Sequence, residues 1–166
     1  MLNRIFPKQL DNTYRGHWLG LVLFLLVIAL RATQGINSMV ITRSVITGAD
    51  AIPLDTFSQP AANTLVAVFA LLGVSSVMVS MIGLVALVRY RAMIPFLFLV
   101  LLLGQIGARV LLLINPIERS ADLSVNYAGQ PIGFWFNLGM LAVTVIGFLL
   151  SILNRSKSPA LVGGAR

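Results

Sequence analysis

Residues 92–114 read AMIPFLFLVLLLGQIGARVLLLI, apolar throughout except for Gln105 and Arg109. About 20 such residues cross a hydrocarbon core of about 30 Å as a helix, so the stretch predicts a transmembrane span. Gln105 and Arg109 stand four residues apart and share one face of that helix. An ionisable side chain inside a span is costly and marks a candidate functional position.

The rest of the chain agrees with this reading. Of its 166 residues, 58% are hydrophobic and 10% charged, with a mean hydropathy of +0.93. Soluble domains carry about a quarter charged residues, so the composition is that of a polytopic membrane protein. Further apolar runs occupy 18–39, 64–88 and 132–153. Lipid admits only helices or closed barrels, and these runs lack the alternation of barrel strands. The expected fold is an all-α integral membrane protein, an up-down four-helix transmembrane bundle in a single domain over 1–166. A short basic segment, 1–15, precedes the spans and a tail, 154–166, follows them. The basic start before an apolar run resembles a signal peptide, and a signal-anchor or ordinary first span is the expected reading.

Each span carries a pattern beyond its length. In 18–39, His17 and Trp18 mark the headgroup level, and Arg31, Gln34, Gly35 and Ser38 fall on one helical face. In 64–88, Gly73, Ser76, Ser80 and Gly83 recur at steps of three and four. In 132–153, Phe134, Trp135 and Phe136 form an aromatic belt, and Gly139, Val143, Gly147 and Ser151 recur at steps of four. Small-residue rows let helices approach closely in lipid. They are expected to pack the bundle itself, with an interface to another chain as the alternative. Asp50, Pro53, Asp55 and Pro60 interrupt any continuous helix between the first two spans. Pro95 falls in the first turn of its span, where the missing N–H costs little.

The basic residues orient the bundle. Arg4, Lys8, Arg15, Arg89, Arg91, Arg155, Lys157 and Arg166 fall on one side of a four-span arrangement. Arg43 and Arg119 share the other with Asp50, Asp55, Glu118 and Asp122. The positive-inside rule then puts both termini in the cytoplasm, with a bacterial cytoplasmic (inner) membrane the expected location. The net charge of +7 is spread singly over span ends rather than gathered in a stripe, so nucleic acid is not an expected partner.

Arg31 lies roughly 20 Å along the helix from Trp18, and Arg109 roughly 25 Å from Ala92, at about 1.5 Å per residue. Both therefore reach the outer half of the membrane. The expectation is that they snorkel to lipid phosphates or pair with acids of the loops. The alternative is an outward-opening polar pocket of Arg31, Gln34, Gln105 and Arg109, whose guanidinium forks suit a carboxylate, a phosphate or a lipid headgroup.

Much other chemistry is excluded by composition. There is no cysteine, the sole histidine is His17, and the sole lysines, Lys8 and Lys157, lie outside the spans. No Asp or Glu falls within a span, which disfavours a carboxylate proton relay. No hydrolase triad, zinc-binding or phosphate-loop motif is present, so no covalent or metal cofactor is expected. The leading functional expectation is a non-enzymatic accessory or structural subunit, self-associating or joined to other membrane proteins in contact with lipid. A binding or transport protein for an anionic small molecule or lipid headgroup is the alternative.

Overall fold

The computed structural model describes residues 5–7, 11–117, 119, 126–127 and 129–153. Four helices in it are long and apolar enough to cross a membrane: α1 (Trp18–Val40), α2 (Gln59–Arg89), α3 (Ile94–Ile114) and α4 (Ile132–Ile152). The protein is thus a multi-pass, all-helical membrane protein. The one departure among the described residues is a short antiparallel pair before α4, β1 (Asn126–Tyr127) with β2 (Gln130–Pro131). Gly129, at φ 75, supplies the left-handed residue of its turn. Glu118, Asp122, Arg4, Lys8 and the basic tail residues lie outside the described residues.

Local chemistry sets the helix limits. The Leu19 N–H donates to His17 Nδ1 at 3.3 Å and caps α1. The His17 N–H donates to the Leu150 carbonyl at 3.0 Å, tying the start of α1 to the end of α4. α2 starts at Gln59, five residues before the expected 64. Pro60 lies in its first turn, where a proline lacks only an N–H that would have no helical partner. A residue read as a breaker is in fact a starter. At about 1.5 Å per residue α2 is roughly 46 Å long, which exceeds the hydrocarbon core and leaves Gln59, Asn63 and Thr64 for the headgroup level. Pro95 occupies the equivalent place in α3.

The connection from α1 to α2 is packed. A single turn, Thr42–Ser44, runs into a π-helical turn, Val45–Ala49, and Ala51 reverses the chain at φ 55. Ile46, Ile52 and Leu54 bury against Ala62, with Leu65, Val66 and Phe69 around them. The Arg43 guanidinium donates to Asn63 Oδ1 at 2.9 Å.

The two ends of the bundle differ. At the end carrying Arg15, Arg89 and Arg91, here the basic end, Phe24, Val27, Ile28, Ile94, Phe98 and Leu101 form a closed core. The Phe24 and Phe98 rings meet edge to face at 5.1 Å. At the other end, the loop end, α3 buries no residue beyond Leu102. Glycines set the helix separations. A Cβ on Gly35 would lie 2.8 Å from the Gly73 carbonyl oxygen, and one on Gly73 would lie 2.7 Å from that of Gly35. Gly83 receives the Ile28 side chain, and Gly147 receives the Phe98 ring. Such backbone proximity is what small residues supply in lipid, where no expulsion of water drives helices together.

A polar cavity at the loop end

Where α3 leaves the core, the four helices surround a cavity of about 370 Å³. Arg31, Gln34 and Ser38 reach it from α1, and Gln105 and Arg109 from α3. Helical spacing explains each set, since positions three or four apart stack on one face. The four residues singled out in the sequence therefore line a single space. α2 contributes Phe69, Leu72, Gly73 and Ser76, and α4 contributes Phe134 and Asn137. Val45, Asp50, Arg119 and Pro131 come from the connections at the loop end.

The polar groups are only partly matched. Gln105 Nε2 donates to Thr144 Oγ1 at 3.1 Å, and that hydroxyl donates to the Met140 carbonyl at 2.6 Å. Gln34 Nε2 donates to Asn137 Oδ1 at 3.5 Å, while Asn137 Nδ2 donates to the Gly133 carbonyl at 2.9 Å. Both glutamines are thus oriented by α4. The Arg109 guanidinium lies 5.5 Å from the centre of the Phe134 ring, a cation–π contact worth about 0.5–2 kcal/mol. Beyond these contacts, Arg31 Nε, Arg109 Nη2 and Gln105 Oε1 are buried without a hydrogen-bond partner among the described residues. A buried donor left unmatched costs about 1–3 kcal/mol, and more where it is charged.

The charges do not cancel. Among the described residues Asp50 is the one acid lining the cavity, against Arg31, Arg109 and Arg119. Burial pushes the Asp50 carboxyl above the ordinary carboxylate range, and the Arg119 charge opposes that shift. Asp50 Oδ1 also lies against Gly133, in the first turn of α4. Among the described residues the lining is consequently electropositive, with unmatched donors that suit the oxygens of a carboxylate or phosphate.

Asn137 and, as a cation partner, Phe134 line the cavity and were not singled out from the sequence, nor was Thr144, which holds Gln105 from α4. Asn137 and Thr144 stand seven residues apart, two helical turns, and that spacing was available as a signal. The small-residue rows divide. Gly73, Ser80 and Gly83 are buried on α2 with Ser76 half-buried, and Gly147 and Ser151 are buried on α4. Gly139 is exposed, with nothing within 4 Å of where a Cβ would stand. Comparison with family models, with curated proteins and with solved structures finds no match.

Proposed function

We propose that the protein binds an anion in the loop-end cavity, as a membrane binding or transport protein without catalytic activity of its own. The observation that carries this reading is the pair of arginines, Arg31 and Arg109, lining one cavity with buried N–H groups that have no partner among the described residues. Two such cations at membrane depth are costly alone, and an anion between them offsets the cost. The accessory-subunit reading rested on the small-residue rows. Most of those residues are engaged within the chain: Gly73 on Gly35, Gly83 on Ile28 and Gly147 on Phe98. Gly139 alone among those glycines has an open face to offer another chain.

The proposal includes an orientation. The pairings of Gly35 with Gly73, Gly20 with Ser151 and Gly147 with Phe98 support an up-down order of the helices. Arg15, Arg89 and Arg91 gather at the opposite end from the cavity, and the positive-inside rule assigns that end to the cytoplasm. The cavity then faces the outer leaflet of the membrane, taken to be a bacterial cytoplasmic membrane.

Calorimetric titration of the purified chain with inorganic phosphate and with a dicarboxylate, against chloride as reference, tests the reading. Arg31→Gln or Arg109→Gln should weaken binding by roughly 10- to 100-fold, the loss of one charge-assisted contact. The same substitutions should raise the stability of the ligand-free protein, because each removes a buried, unmatched cation. Arginines with a merely structural role would give the opposite sign. Anion binding that survives both substitutions would end the proposal.

A further inference from the structure

We infer that the ligand is an anionic amphiphile, its charged head between Arg31 and Arg109 and its chain leaving the cavity sideways through the seam between α2 and α3. This rests on the anion-binding reading and narrows it to a class of ligand.

The walls of the cavity are unequal. α1 and α2 are locked at Gly35 and Gly73, backbone against backbone. α1 and α4 are joined through Gln34 and Asn137, and α3 and α4 through Gln105 and Thr144. No such contact among the described residues joins α2 to α3 at this level. The cavity residues on those two helices belong at once to the lining and to the outer surface: Leu72 is 58% exposed and Leu112 is 42% exposed. Gly104 and Ala108, between them, are exposed too, and nothing lies within 4 Å of a Cβ on Gly104. A residue that lines a cavity while facing outward marks a doorway.

At this depth the doorway opens on lipid. α2 and α3 are apolar spans, and their outward residues here, Leu71, Leu103 and Leu111, are exposed hydrocarbon. A small hydrated anion gains nothing by approaching through acyl chains, whereas a molecule that carries a chain already resides there. The axial side is occupied by Val45, Asp50, Arg119 and Pro131, whose one carboxyl and one guanidinium oppose each other and give a small anion no strong pull along that path. Moving a chain from lipid into an apolar seam is close to neutral, because lipid tails are as apolar as leucine. The two parts of the site therefore have separate tasks. The arginines set how tightly the head is held, and the seam sets which anions can arrive and fit.

The test uses the full chain in a neutral maltoside detergent, with native mass measurement and calorimetric titration of three probes: dodecyl phosphate, inorganic phosphate and dodecylphosphocholine. One dodecyl phosphate per chain is expected to bind at least about tenfold more tightly than either other probe. Gly104→Phe and Leu72→Trp, which fill the seam from opposite sides at exposed positions, should each weaken dodecyl phosphate by at least about tenfold more than they weaken inorganic phosphate. Arg31→Gln should weaken both phosphates. Unchanged dodecyl phosphate binding in both seam variants would overturn the inference while leaving the anion site standing. So would inorganic phosphate binding as tightly as dodecyl phosphate. Phosphate probes that do not bind at all, or that bind undiminished in Arg31→Gln, would overturn the anion site as well.

Discussion

Substituting Gly35 by alanine puts a methyl group 2.8 Å from the Gly73 carbonyl oxygen, short of ordinary contact at 3.4 Å or more. A backbone oxygen cannot turn aside as a side chain can. α1 and α2 must therefore part by about 0.6 Å, and overpacking of this kind costs about 1–3 kcal/mol. Alanine offsets part of that, because it favours a helix over glycine by about 1 kcal/mol. The net expectation for Gly35→Ala is a loss of about 1–2 kcal/mol. Gly73→Ala should match it, since its Cβ would stand 2.7 Å from the Gly35 oxygen. One parting of the helices relieves both clashes, so the double variant should cost less than the sum, with a coupling of about 0.5 kcal/mol or more. Gly139→Ala is the control. With nothing within 4 Å, it retains only the helix gain and should be more stable by about 0.5–1 kcal/mol. Equilibrium unfolding in mixed micelles, titrated with an ionic detergent and followed by circular dichroism, reads all four variants. The reasoning fails if Gly35→Ala is as stable as the parent, or if Gly139→Ala loses as much as Gly35→Ala.

Two further outcomes follow from groups outside the spans. Burial holds the Asp50 carboxyl above its ordinary range, so the folded state favours the protonated form. The stability this contributes is complete below the ordinary carboxylate value and is lost as pH rises through the raised one. Asp50→Asn should remove that dependence and stabilise the protein at neutral pH, while Arg119→Gln, which deletes the opposing charge, should steepen it; unfolding midpoints between pH 3 and 8, a range chosen to bracket the ordinary carboxylate value of about 4, decide the matter. The Tyr14 phenol, pushed up to about 12 by burial and without a hydrogen-bond partner among the described residues, should titrate above the ordinary phenol range by ultraviolet absorbance. Tyr14→Phe should delete that step and leave stability unchanged or higher, because the removed hydroxyl is unmatched.

The spans and their polar faces were legible because length and periodicity are local properties. Arg31 with Gln34, and Gln105 with Arg109, could be set on helix faces from spacing alone. That both faces meet in one cavity depended on α4, which orients the two glutamines through Asn137 and Thr144. No spacing within α1 or α3 contains that information. The row at 139, 143, 147 and 151 misleads for a geometric reason. Steps of four overshoot a period of 3.6 by about 40° each, so Gly139 and Ser151 end up about 120° apart. Gly133, Met140, Thr144, Gly147 and Ser151, the residues α4 buries, stay within about 40° of one line. Pro60 was ambiguous in another way, since proline ends a helix from within and begins one from its first turn. The difference lies in the neighbouring packing of Ile46, Ile52 and Leu54 on Ala62, which connects segments distant in sequence.

The short joint at Arg91–Met93 has a mechanical meaning. It fastens α2 to α3 at the basic end, while the seam lies toward the far ends of both helices. α2 is held to α1, α1 to α4 and α4 to α3, so the helices form an open ring whose two loose edges, α2 and α3, meet at this joint. α3 is about 30 Å long, and over such a lever a rotation of about 5° at the joint carries the far end through roughly 2.5 Å. That arc is comparable to the half-width of a hydrocarbon chain. The closed core of Phe24, Ile94 and Phe98 lies near the pivot, so a rotation there displaces the core least and the seam most.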